Sequence, residues 1–486
     1  VAEPEHFDVI IVGAGLSGIG AAYRLQTMCP RKTFAIFEAR QASGGTWDLF
    51  RYPGVRSDSD MHTLAFPFRP WQADKAIADG AAILAYIRDT AAAYGIDRKI
   101  RYDHRIIEAA WSSQSARWAV TAAHTDGGQT QFTCNFLYLC SGYYDYDSGY
   151  LPEWPDIGNF QGSIIHPQHW PADFDYAGKR IVVIGSGATA VTLVPALARS
   201  AAHVTMLQRS PTYIAAVPSV DRIANRLRRL LPARLAAGAI RWKNLLFGMY
   251  FYTLARRKPD WVRRAITGMA RKLIGPERWD SKHFTPSYDP WDQRLCLAPD
   301  GDLFAAIRAG SVSVVTDTIA GFTETGVRLE SGGVLEADGI VTATGLKLKF
   351  AGGMRVLVDG VEADLPSRTI YKGMMLSGVP NLAAATGYTN ASWTLKSDLT
   401  SVYVCRLLTY MQRHGYAVCR PELRNNTQAG DTVMPLASGY FQRASAILPK
   451  QGSKPPWRLS QNYAADLLAL RFGKLADGTM VFSSRA

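Results

Sequence analysis

The sequence predicts an α/β fold made of two Rossmann-like dinucleotide-binding domains and a helical insertion. Three observations carry this. A strand, a glycine turn and a helix-like stretch follow one another twice in the chain, near residues 9–26 and 181–199. The 486 residues are enough for about three domains at roughly 150 residues each. The net charge of +13 is concentrated rather than spread. Hydrophobic content of 47% with 20% charged residues belongs to a globular chain and excludes global disorder.

The first signal opens on the β-branched run Val9 to Val12, then Gly13-Ala14-Gly15-Leu16-Ser17-Gly18, then a helical stretch from Ile19 to Gln26. Glycines here permit a tight turn and close approach of the backbone to a pyrophosphate, which sits on the helix N-terminus. The next predicted strand, Thr33 to Phe37, ends in Glu38, 20 residues past Gly18. An acid at that place accepts hydrogen bonds from a ribose with a free 2′-hydroxyl. The ligand is therefore FAD or NAD rather than NADP.

The second signal runs Ile181 to Ile184, then Gly185-Ser186-Gly187-Ala188-Thr189-Ala190, then a helical stretch to Arg199. Its next strand, His203 to Leu207, ends in Gln208-Arg209-Ser210. Arg209 beside the Ser210 hydroxyl is what a 2′-phosphate requires. This places NADPH at the second turn and FAD at the first, the arrangement of a flavoprotein that takes hydride from NADPH.

The remaining punctuation gives the domain plan. Gly142 to Gly162 is a loop-rich bridge, and Val334 to Gly345 is read as one strand ending in Ala343-Thr344-Gly345. Residues 1–145 and 346–486 are expected to form the FAD domain, 146–220 and 286–345 the NADPH domain, and 221–285 the insertion. Between Asp221 and Lys282 there are 16 Lys plus Arg against 4 Asp plus Glu, a net of +12, which leaves +1 for the rest of the chain. Prolines 232, 259 and 276 break this stretch into helices. Arg228, Arg229, Arg241, Lys243, Arg256 and Arg257 flank apolar patches, so peripheral contact with a membrane through 221–282 is expected to accompany catalysis. The aromatics Trp242, Phe247, Tyr250, Phe251, Tyr252 and Trp261 are expected to pack between helices. No motif supports nucleic-acid binding.

Six scattered cysteines with no Cys-x-x-Cys pair argue against a disulfide framework, a zinc site or a dithiol reductase, and favour a reducing compartment. The histidines show no metal-ligand spacing, so no metal is expected. No signal peptide is expected, because Phe7 to Val12 already reads as a buried strand, and the longest apolar stretch, near Leu245 to Ala255, is about half of the roughly 20 residues a bilayer span needs. The expected setting is cytoplasmic.

Two further motifs name a family. Phe160-x-Gly162-x-x-x-His166-x-x-x-Trp170-Pro171 matches, at every defined position, the fingerprint of Baeyer-Villiger monooxygenases, and Gly44-Gly45-x-Trp47 with Tyr52-Pro53-Gly54 and Asp58 matches a second signature. The chain resembles these class B flavin monooxygenases over nearly its whole length, and most closely their ethionamide-activating subgroup. Pro290-Trp291-Asp292-Gln293-Arg294-Leu295-Cys296, Thr389-Asn390-Ala391-Ser392-Trp393 and Pro449-Lys450-Gln451-Gly452-Ser453 extend the likeness.

The resemblance implies a chemistry. NADPH reduces FAD, the reduced flavin captures O2 as a C4a-peroxide, and this inserts one oxygen into a ketone to give an ester or lactone. Thioethers and thioamides are oxygenated to S-oxides. Arg294 matches the family's arginine that faces the peroxide, and Asp58 the acid that orients it; a guanidinium is always charged and suits an anionic oxygen. By the same likeness Ser17, Thr46, Trp47, Asp48 and Ile106 contact FAD, Arg56, Ser57 and Asp58 lie where flavin meets nicotinamide, and His166 and Trp170 sit at an interdomain hinge. Many members carry Lys where this chain has Gln293, so Arg209 must carry more of the discrimination against NADH. A monooxygenase restricted to nitrogen and sulfur is the alternative, against which the Asp58 signature and Trp170-Pro171 speak. Neither the physiological substrate nor the oligomeric state follows from these residues.

Overall fold

The structure is a computed structural model and describes residues 3–423, 429–432 and 439–484. Strand β1 (Glu5–Val12) enters helix α1 (Leu16–Met28), which returns to β2 (Phe34–Phe37). β1 pairs in parallel with β2 on one side and with Gln129–Leu139 on the other. Residues Arg117–Ala123 and Arg105–Ser112 extend this sheet antiparallel, and Leu382–Ala384 and Arg355–Val358 return from the C-terminal half to join it in parallel. Side chains alternate across a strand: Val9 and Ile11 face α1 and the helix Trp393–His414, while Ile10 and Val12 face Trp118, Leu137 and Val379. Both faces are covered, which explains why the strand reads as a continuous apolar run.

The second sheet is wholly parallel. Strand β3 (Arg180–Ile184) leads into helix α2 (Ala188–Leu197) and then β4 (His203–Gln208). The strand order is Val312–Thr316, β4, β3, Gly339–Thr342, Ser163–Ile165. The stretch expected as one strand from Val334 to Gly345 is two. Val334–Glu336 belongs to a separate antiparallel meander with Gly326–Leu329, and Gly339–Thr342 to the parallel sheet. The break falls at Ala337-Asp338, where the Asp338 carboxylate accepts the Arg180 backbone N–H at 2.7 Å. The two sheets are joined by an antiparallel ribbon of Tyr144–Gly149 with Leu346–Leu348.

Between β4 and residue 281 lie α3 (Arg222–Leu230), α4 (Ala233–Arg257) and α5 (Pro259–Ile274). Asp221 caps α3 by accepting the Ala224 N–H. Pro232 precedes α4, and Pro259 opens α5, where a missing N–H costs nothing. α5 buries Val262, Ile266, Ala270 and Ile274, one face at four-residue spacing. α4 buries Ala236, Ile240, Leu245 and Ala255. Much of the opposite faces is not packed: Phe247, Tyr250 and Trp261 are exposed, contrary to the expectation that they pack between helices, while Trp242, itself partly exposed, meets the ring of Tyr463 edge-on at 6.0 Å. The helices lie as one layer on the body, so only one face of each is covered; of the six aromatics, Phe251 packs with Val262 and Leu295, and Tyr252 against Trp291.

Candidate active site

At the first turn, α1 starts at Gly15 with no side-chain cap and no acid in its first turn. α2 starts in the same way at Gly187. The helices that follow Asp60, Asp79 and Asp221 are instead capped by those carboxylates. The glycine turns therefore leave helix N–H groups available to phosphate, the fit that a dinucleotide needs. Glu38 stands at the end of β2, 6% exposed; Oε2 accepts the Ala14 N–H at 2.8 Å and Oε1 the Arg40 N–H at 3.0 Å. Burial pushes its carboxyl up, while these two N–H groups and the Arg40 charge pull it down. Gly13 backs onto Cys140, and Gly18 packs directly on Gly13. Ser17 accepts a hydrogen bond from the Trp393 indole at 2.8 Å.

The second signature lines the same cleft. Gly45 lies against Gly15, and Thr46 meets the Tyr146 hydroxyl at 3.1 Å. Trp47 packs against the first core. Asp48 is buried and paired with Arg40 and Arg88, each at 2.7 Å, and with Arg51 at 3.3 Å. Ile106 is buried opposite Ala122 in its strand, and its neighbour Arg105 pairs with Asp147 at 2.7 Å.

At the second turn, Gly185 lies against Ala343, and the Ser186 hydroxyl donates to the Ser210 carbonyl at 3.0 Å, tying the turn to the loop after β4. Ala190 is buried, whereas Gly187, Ala188, Arg209 and Ser210 are exposed. Arg443 stacks on Tyr150, with its guanidinium carbon 3.5 Å from the ring centroid. Burial and the nearby Arg209 charge hold it below the usual arginine range, against Tyr150. Arg443 thus adds a second cation beside Arg209, a residue that sequence spacing did not single out.

Arg294 and Asp58 form a two-point ion pair, Nε to Oδ2 at 2.7 Å and Nη2 to Oδ1 at 3.0 Å. Side chains connect this pair to both turns. Toward the first, the charges of Arg294 and Asp58 act on half-buried Tyr143, whose ring meets that of Trp393, the donor to Ser17, tilted at 42° with centroids 5.1 Å apart. Toward the second, burial pushes the Tyr52 hydroxyl up to about 12, with the neighbouring Thr189 side chain opposing this and the Asp58 charge adding to it. The Tyr52-Pro53-Gly54 segment packs directly on α2: a β-carbon at Gly54, whose φ is +77°, would meet Ala196 at 2.7 Å and the Thr192 carbonyl at 2.8 Å. Only glycine allows that approach.

The loops carrying the pair are held from outside. Ser57 N–H donates to the Ala78 carbonyl at 3.0 Å, and Arg56 pairs with Asp302, 246 residues away. The loop before Arg294, which includes Gln293, is braced by the insertion: Arg256 pairs with Asp292 at 2.6 Å, and Arg263 with Asp289 at 2.5 Å. His166 lies over Gly149 and its Nε2 meets the Gly345 carbonyl at 3.1 Å, so it clamps both chain crossings between the sheets. Trp170 instead joins Phe174 and Tyr176 in an aromatic cluster on the second sheet. Among the described residues, no group of three or more His, Cys, Asp or Glu is arranged to hold a metal.

A family model described as flavin-binding monooxygenase-like matches residues 65–374, well over half of the chain, and one described as an NAD(P)-binding Rossmann-like domain matches 11–74. The chain belongs to the flavin-binding monooxygenase-like family. Within this family it is a class B flavin monooxygenase of the EthA subgroup. It is 55% identical to the FAD-containing monooxygenase EthA of Mycobacterium tuberculosis, over 99% of this chain and 98% of that one. It is 51% identical to the putative FAD-containing monooxygenase MymA of the same species, over 99% and 98%. Among solved structures, a steroid monooxygenase bound to NADP superposes with a TM-score of 0.78, covering 99% of this chain and 100% of that one at 22% identity. A cyclohexanone monooxygenase from Rhodococcus bound to NADP+ gives 0.76, with the same coverage at 20% identity. These two solved structures share the fold of this chain.

Proposed function

We propose that the chain inserts one oxygen atom from O2 into ketones, giving esters or lactones, and oxygenates thioethers or thioamides to S-oxides. NADPH supplies two electrons, and the second oxygen atom leaves as water. FAD is assigned to the turn Gly13–Gly18 and NADPH to the turn Gly185–Ala190. The single observation that carries this is the Arg294–Asp58 pair, linked by packed side chains to Ser17 at one turn and Thr189 at the other.

Bound FAD supplies the centre that NADPH reduces and that activates O2. The residues supply the rest. The Leu16 and Ser17 N–H groups at the start of α1 would hold the pyrophosphate, and each Glu38 oxygen, which accepts one backbone N–H, keeps a lone pair for a ribose hydroxyl. Arg209 and Arg443 together would hold the 2′-phosphate, with the uncharged Gln293 adding no charge there. Asp58 holds the Arg294 guanidinium at two points, so a fixed positive charge stands ready where an anionic oxygen develops, with no reorganisation needed at that moment. The nucleophilic reaction with a ketone needs that oxygen deprotonated, whereas transfer to sulfur favours its protonated form.

The test is a panel of cyclic and aryl ketones and aryl alkyl sulfides, with products identified after incubation with NADPH and air. Esters or lactones together with sulfoxides are expected. NADPH oxidation without any oxygenated product overturns the reading, and sulfoxides alone would turn it to the nitrogen- and sulfur-restricted class.

A further inference from the structure

The insertion has an outer face that the oxygenation reading does not use. We propose that this face docks the protein on an anionic lipid surface. Along α4, positions 235, 239, 242, 246, 250, 253 and 257 recur at helical spacing and all face solvent: Leu, Ala, Trp, Leu, Tyr, Thr and Arg. Phe247 stands beside this stripe. Leu235 is 62% exposed, Leu246 58%, Phe247 68% and Tyr250 65%. On α3, Ile223 and Leu230 are exposed seven residues apart, at 61% and 67%. An apolar strip of this extent on the outside of a folded chain marks an interaction surface.

Charge identifies the partner. From residue 222 to 258 the chain has ten Lys plus Arg and no Asp or Glu. The basic residues divide into two sets. Arg228 donates to the Gln72 and Ala73 carbonyls, Arg241 to those of His62 and Ala65, Lys243 pairs with Asp221 and Arg256 with Asp292, so four of the six expected at the membrane instead fix the insertion to the body. Arg222, Arg226, Arg229, Arg234, Arg257 and Lys258 are exposed around the apolar strip. A second copy of this chain would bring the same positive rim against itself. Anionic lipid headgroups match the rim, and the aromatic and leucine side chains enter the interface beneath them. Among the described residues, no helix is long and apolar enough to cross a membrane, so the contact is a lateral one.

The experiment uses the full FAD-loaded chain in sedimentation with vesicles of phosphatidylcholine alone and of phosphatidylcholine with phosphatidylglycerol. Binding is expected to the anionic vesicles only and to fall with added salt. The triple variant Leu246→Ser, Phe247→Ser, Tyr250→Ser should lower the bound fraction at least about tenfold. The variant Arg226→Glu, Arg229→Glu, Arg257→Glu should abolish the anionic preference. Both should keep bound flavin and NADPH oxidation, because none of these side chains reaches the clefts; if the first loses flavin, the second decides alone. Absence of wild-type binding at low salt overturns the proposal. So does a wild type that sediments with neither vesicle but forms dimers that the triple variant abolishes, since the occupant is then a second copy.

Discussion

The two glycine turns share a pattern and differ in how the chain closes over them. At the first, Gly13, Gly15 and Gly18 are wedged against Cys140, Gly45 and one another, Trp393 lies on Ser17, and the acid that follows is buried. At the second, a β-carbon at Gly187 would meet nothing within 4 Å, and Arg209 and Ser210 face solvent. We propose that the closed turn suits a resident FAD and the open one a dinucleotide that exchanges, so that packing around similar sequence patterns separates retention from exchange.

Substitutions at matched places sharpen or break this contrast. The largest effect is expected for Gly18→Ala, whose added carbon would lie 1.9 Å from the Gly13 carbonyl oxygen. The clash should cost about 3 kcal/mol or more, seen as a lowered thermal midpoint and purified protein without flavin absorbance. Retention of normal flavin content would break the comparison from the first side. An intermediate effect is expected for Arg209→Ala, which removes a charge-assisted contact to the 2′-phosphate. The KM for NADPH should rise about tenfold or more while that for NADH changes little. Equal changes for both cofactors would move the phosphate away from this loop. The smallest effect on stability is expected for Gly187→Ala, within about 1 kcal/mol, with flavin content intact and only the NADPH KM raised. Loss of flavin here would mean that the second turn is as closed as the first.

The fold was legible because each turn announces itself locally: a β-branched run, glycines at φ +103° and +133° for Gly13 and Gly185, and a helix behind. What stayed hidden was long-range. Asp302, the partner of Arg56, Trp393, the donor to Ser17, and Arg443 beside Arg209 lie far away in sequence, and no spacing rule joins them. Arg256 and Arg263 read as part of a basic surface, yet they brace the loop in front of Arg294, because an ion pair depends on which acid the fold brings near. The exposed aromatics of α4 and α5 were misread for the complementary reason: periodicity shows that a face exists but not that anything covers it. The split of Val334–Gly345 between two sheets was legible, because the turn dipeptide Asp338-Gly339 falls at the break.

The central claim is that Arg294 serves oxygenation and not hydride delivery. Its most direct test is Arg294→Ala assayed in two halves: anaerobic bleaching of the flavin by NADPH, and product formed from a ketone in air. Bleaching should persist while product falls by about 100-fold or more, the scale of losing one preorganised charge. Product formation at the wild-type rate, or loss of bleaching together with product, would contradict the account.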